Sequence, residues 1–157
     1  MKRVDALLSD AEYITRVAAI GRSEKERRFC RHDLTHFLDV ARIAWIACLE
    51  ERLPFDKETV YLAALLHDLG RSESTQDHDH VGSALACNIL TRLQAPEDQI
   101  AAICTAIASH RDKSVRTAPT LASLLARADK QSRLCFACPV REDCYWPEST
   151  KNRTIHS

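Results

Sequence analysis

The chain has 157 residues, the size of one domain, and a chain this long buries roughly 68–70% of its unfolded surface without needing cross-links. Hydrophobic residues make up 45% and charged residues 28%, and 22 basic side chains balance 22 acidic ones, which fits neither a generally basic nucleic-acid binder nor a membrane-surface protein. No apolar run approaches the roughly 20 residues of a membrane span, acids stand where a signal peptide needs its apolar stretch (MKRVDALLSDAEYITRV), and three Gly, five Pro and 6% aromatics disfavour a strand-and-turn protein.

Apolar positions at three- and four-residue spacing predict a first helix over residues 4–20, through Val4, Leu7, Leu8, Ala11, Ile14 and Val17. The charged GRSEKERR that follows reads as a helix end, a solvated link or the first turns of the next helix. A second helix is expected over 33–52, with Asp33 as its cap and Leu34, Phe37, Val40, Ile43, Ala44 and Ala47 on one face. A third starts at Asp56 and runs through VYLAALLHDLG to Gly70. RSESTQDHD is a polar loop. Helices over about 80–93, 97–110 and 119–133 follow, with Pro96 and Pro119 suited to helix first turns. No strand alternation persists. The expectation is an all-α domain over 1–134 with a Cys-rich tail, 135–157, packed on it.

Seven cysteines in a chain with no visible export signal argue against a disulfide framework and for a cytoplasmic, reducing setting. Cys48, Cys87 and Cys104 read as small buried hydrophobes. Cys135, Cys138 and Cys144 stand together in CFACPVREDC and suggest a metal or iron–sulfur site.

The histidines are unevenly placed. His32 and His36 are read on one helix face, His67-Asp68 in the last turn of an apolar helix, His78 and His80 at a loop-to-helix junction, and His110 at a helix end. Asp68 is the most telling, because a carboxylate beside the apolar run VYLAALLH is costly unless it is paired or bound to a cation. Neighbouring His and Asp side chains on a regular helix diverge by about 100°, so joint ligation needs a helix end, which Gly70 supplies. Imidazole and carboxylate together suit zinc, iron, manganese and similar divalent ions. Taken alone, the dipeptide fits a hydrogen-bonded core pair equally well.

The order of the set, His36, then His67-Asp68, then Asp129, resembles the signature of the HD-domain metal-dependent phosphohydrolases, an all-helical family with ligands in the order H…HD…D. HFLDVARIA, LAALLHDLGR and LLARADKQSR carry the likeness, which spans about residues 30–134. It implies one divalent metal held by His36, His67, Asp68 and Asp129. In the two-metal branches a His precedes a Gly-small pair by four residues, as His78 precedes Gly82-Ser83, and a later His closes the next helix, as His110 does. The resemblance therefore implies a second ion at His78 and His110, bridged by Asp68, with His80 as the alternative to His78. His32 is read as a ligand-supporting residue or as an ordinary surface or core His, and His156 as solvated.

The same resemblance implies hydrolysis of a nucleotide-type phosphoester or phosphoanhydride by a metal-activated water. Arg71 and Lys130 are the cations expected to help Asp68 in catalysis. Arg111, Lys113 and Arg133 fit a solvated surface better. Locally the closest branch is the symmetrical diadenosine-tetraphosphate hydrolases, with an Ala128-Asp129-Lys130 end. An HD-type di-iron oxygenase, or a nucleotide or redox sensor, would use the same ligand types. The tail is similar to the last three ligands of the iron–sulfur loop of endonuclease III-type glycosylases. Ala128 stands where their first Cys lies, so Cys30 is the candidate fourth ligand, for a 4Fe–4S cluster or a structural zinc. No basic stripe supports nucleic-acid binding. The partner expected is a phosphorylated small molecule.

Overall fold

In the computed structural model, residues 1–112, 114 and 118–155 are described; Lys113 and His156 lie outside them. Seven α-helices and no strand occur among the described residues: α1 (Lys2–Leu8), α2 (Ala11–Ser23), α3 (Leu34–Glu50), α4 (Lys57–Leu66), α5 (His78–Arg92), α6 (Glu97–Ser109) and α7 (Leu121–Gln131). The fold is the expected all-α bundle. None of these helices is long and apolar enough to cross a membrane.

The helix starts follow the capping chemistry. Asp10, Asp33, Asp56 and Thr120 each accept a hydrogen bond from the backbone N–H three residues on, which stabilises each start by about 1 kcal/mol. The Asp10 cap corrects the single first helix expected over 4–20. Apolar spacing continues through Ser9-Asp10, but Asp10 has extended backbone there and turns to the Tyr13 N–H, so the segment divides into α1 and α2. The second helix likewise begins at Leu34, so His32 lies in the stretch before it and does not share a helix face with His36.

Helix α4 is central. Val60, Leu62, Ala63, Ala64, Leu65 and Leu66 are all buried, and the helix packs against α3 and α6. Each large aliphatic side chain removed from water there contributes roughly 1.5–3 kcal/mol before entropy is counted. Helix α7 closes the bundle against α3 and α6.

After Leu66 the α-helix stops. His67 is still helical, Asp68 turns (ψ 9°), and a 3-10 turn runs over Leu69–Ser72. Gly70 sits against the start of α5: a Cβ on it would lie 2.1 Å from the His78 carbonyl oxygen and 2.5 Å from the Gly82 nitrogen. Only the absence of a side chain lets these two backbones meet.

Cys87 on α5 and Cys104 on α6 form a disulfide, with Cα atoms 6.0 Å apart. This corrects the reading of both as free buried thiols. The helix pattern marks each as facing inward, but their juxtaposition depends on α5 lying against α6, which periodicity does not reveal. The tail consists of short 3-10 turns at Cys135–Ala137, Arg141–Asp143 and Glu148–Thr150. Buried Asn152 straps it down by donating from Nδ2 to the carbonyls of Lys130 (2.8 Å), Gln131 (3.3 Å) and Arg133 (2.8 Å) at the end of α7.

Candidate metal centre

The helix ends around α4 bring six side chains into one pocket. Their ligand atoms fall into two groups, each closing to within 4.8 Å: His36, His67 and Asp129, and Asp68, His78 and His110. Asp68 spans the two. Its Oδ1 lies 3.2 Å from His78 Nε2, while its Oδ2 lies 3.5 Å from His67 Nε2 and 4.0 Å from His36 Nε2. Asp129 Oδ1 is 3.2 Å from His36 Nε2 and 3.9 Å from His67 Nε2. His80, the alternative to His78, is exposed.

The imidazoles share one orientation. Nδ1 of His67, His78 and His110 each pairs with the carbonyl three residues earlier, Ala64 (2.7 Å), Thr75 (3.0 Å) and Ile107 (2.6 Å). His36 Nδ1 meets Ser132 Oγ at 3.2 Å, and that hydroxyl donates to the Asp129 carbonyl. A carbonyl can only accept, so Nδ1 carries the proton and the lone pair of each neutral ring sits on Nε2, facing the pocket.

His67 shows what this set requires. Its Nε2 is fully buried and has no hydrogen-bond partner among the described residues, although two carboxylates face it. Arg71 and Arg133 reach the two carboxylates, but the His67 Nε2 lone pair is left unmatched between them, and a cation there would satisfy it. The charges agree. Burial pushes the Asp68 carboxyl up, but His67, His78 and Arg71 outweigh it and hold the group well below the ordinary carboxylate range. Asp129 is likewise depressed, with burial overcome by His36, His67 and Arg133. Burial lowers His36 and His110. His67 is the exception: burial opposes its charged form, yet Asp68 and Asp129 draw positive charge onto it. Nitrogen and carboxylate donors so arranged fit divalent ions.

One residue here escapes the sequence reading, one is left open by it, and one is corrected. His32 is buried, and its Nδ1 is 2.8 Å from Glu24 Oε1 while its Nε2 is 3.6 Å from Asp68 Oδ2. Burial takes its pKa down to about 2, so the ring is neutral and connects two carboxylates. Glu24 belongs to the charged link after α2, where nothing in the sequence separates a buried carboxylate from the solvated ones beside it. Arg133 corrects the expectation of a solvated surface charge. It is buried, with Nη2 at 2.7 Å from Asp129 Oδ1 and 3.3 Å from His36 Nε2, because it lies one helical turn after Asp129.

Arg71 Nε stands 3.0 Å from Asp68 Oδ2. Lys130 lies at the pocket mouth, its Nζ 5.8 Å from the centre of the Trp146 ring. Arg111 is on the rim, tied to the Gln76 carbonyl and Asp79. A cavity of about 240 Å³ opens over these groups, lined by Arg27, Arg71, Arg111 and Arg133 and walled by Phe29, Tyr145 and Trp146.

A family model described as HD domain matches residues 33–134. A protein of Clostridium beijerinckii described as an uncharacterized protein is 41% identical over 159 residues, covering 99% of this chain and 99% of that one. No solved structure matches.

Proposed function

Because the chain belongs to the HD domain family, whose members are generally metal-dependent hydrolases, we propose that it is a two-metal phosphohydrolase cleaving a phosphoester or phosphoanhydride of a nucleotide. The observation that carries this reading is the pair of donor triads spanned by Asp68 beneath an arginine-lined cavity. His36, His67 and Asp129 would hold one ion and His78 and His110 the other, with Asp68 between them. When bound, such ions supply an activated water near neutral pH and neutralise charge on phosphoryl oxygens.

The protein's own groups prepare the rest. The Nδ1 hydrogen bonds fix the imidazoles so that no reorganisation is needed when a charged substrate arrives. Arg71, held by Asp68 and within 3.9 Å of Glu24, presents a planar fork suited to phosphoryl oxygens. Lys130 and Arg111 at the mouth suit phosphates further from the cleaved bond. Phe29 and Tyr145, edge to face at 5.7 Å, and Trp146 give the wall an aromatic surface on which a base can stack. A phosphate chain reaching inward with its base against that wall satisfies both halves of the cavity. Diadenosine tetraphosphate, cut symmetrically, is the first substrate to test.

The test is phosphate release from a panel of mono- and dinucleotides with manganese, cobalt or ferrous iron added. Metal-dependent hydrolysis of at least one, abolished by a chelator and by Asp68→Asn, is expected. A protein that consumes oxygen with its substrate and releases no phosphate would refute the proposal.

A further inference from the structure

The mechanism leaves four cysteines unused. Cys30, Cys135, Cys138 and Cys144 are free thiols, and all four line one cavity of about 270 Å³ beside the pocket just described. Three elements of backbone bring them there. Cys30 comes from the stretch before α3. Cys138 N–H donates to the Cys135 carbonyl, Arg141 N–H to Cys138 and Cys144 N–H to Arg141, at 3.2–3.4 Å. The chain therefore advances in three-residue hydrogen-bonded steps, 135, 138, 141, 144, as two short turns separated by extended backbone at Cys138 and Cys144. The uneven Cys spacing is thus a regular turn repeat in which Arg141 takes one place, and Arg141 also lines the cavity.

The surroundings suit a negatively charged inorganic group. Phe29 and Trp146 give the cavity apolar walls, while buried Lys151 and half-buried Arg141, which share Glu148 as their partner, leave one net positive charge.

No three of these sulfurs stand around one tetrahedral ion among the described residues. Thiolates around one tetrahedral zinc stand about 3.8 Å apart, given a Zn–S bond of about 2.3 Å. Among the described residues, the donor groups that close to within 4.8 Å are the two His/Asp triads and include none of these sulfurs. A cubane spreads its four thiolate ligands over four separate irons, and so holds them further apart around a larger volume.

We propose that Cys30, Cys135, Cys138 and Cys144 bind a [4Fe–4S] cluster in this cavity. Each thiol bonds one iron of the cluster and releases one proton, and ligation itself transfers no electron. Cys30 and Cys144 line the nucleotide cavity as well, so the cluster pins the tail, with Trp146, as a shared wall. The site does not depend on the phosphohydrolase reading.

The full-length chain purified without oxygen tests this through iron, acid-labile sulfide and zinc contents and the visible spectrum. Sulfide is decisive, because the His/Asp pocket takes none. About four sulfides and at least four irons per chain are expected, with visible absorption bleached by dithionite. Cys30→Ser and Cys138→Ser should each lower sulfide at least tenfold, while Cys48→Ser, at a buried thiol outside the cavity, keeps it. Helical circular dichroism of each variant separates cluster loss from unfolding. If a variant does not fold, sulfide in the wild type and in Cys48→Ser still decides whether a cluster is present. One zinc with no sulfide, no metal with four titratable thiols, or full sulfide in a folded Cys30→Ser would each overturn the proposal.

Discussion

Two neighbouring cavities of similar size are built in opposite ways. In the His/Asp pocket, every ligand stands at or beside a helix end and most are buried, with the imidazoles oriented by carbonyls or by Ser132. In the thiol cavity, no ligand lies on an α-helix. The cysteines ride on 3-10 turns and an irregular stretch, and the tail is tied down through Asn152 and braced internally by Lys151 on the Arg141 carbonyl. Rigid helix termini position donors without needing an occupant. Short turns with little core behind them need something to hold them. The first cavity should therefore stay folded with or without the proposed ions, whereas the second should loosen when the proposed cluster is absent.

Substitutions sharpen that contrast. The largest effect is expected at Asp68, which spans both triads. Asp68→Asn should lower hydrolysis by on the order of 10³-fold or more while leaving the helical content and the thiol cavity intact; steady-state kinetics and circular dichroism check both halves. Gly70→Ala attacks the geometry from behind. A Cβ there meets backbone, which cannot swing aside, so α5 must retreat and carry His78 with it. A stability loss of about 3 kcal/mol or more is expected in chemical denaturation, together with lost activity.

Asn152→Ala tests the tail. Three carbonyls at the end of α7 lose their donor, at about 1–3 kcal/mol. The loss should appear first as faster proteolysis within 135–155, with the bundle spared.

Asp10→Asn is the smallest. Asn caps a helix nearly as well as Asp, so the change removes the charge facing Arg92. Burial raises the Asp10 carboxyl, but the Tyr13 N–H and Arg92 outweigh it and the folded pKa is lowered. The charged form thus favours the fold above the ordinary carboxyl range, and that contribution disappears as pH falls through the depressed value. At neutral pH the variant should be less stable by about 0.5 kcal/mol, with the difference vanishing in acid. Thermal melts at several pH values measure it.

Much of the helical architecture and the six inward donors could be read from the sequence, because helix periodicity, caps and the order of His and Asp are local or nearly local signals. The first helix was misread because apolar spacing is blind to a cap such as Asp10. Glu24 is absent from the sequence reading, His32 stays open there between two roles, and Arg133 is misjudged, for another reason. A charged residue in a charged stretch carries no mark of burial until the chain folds over it. Cys87 and Cys104 show the same limit, since a disulfide depends on which helices are neighbours. The three-residue turn repeat in the tail was present in the sequence, hidden because Arg141 interrupts the cysteines.

The most direct test of the central claim, that six side chains from distant segments hold two cations in one pocket, is the stoichiometry of manganese binding to the full chain by equilibrium dialysis. Two saturable sites per chain, both weakened in Asp68→Asn and one of them lost in His78→Ala, are predicted. No saturable binding, or binding unchanged in both variants, would contradict it.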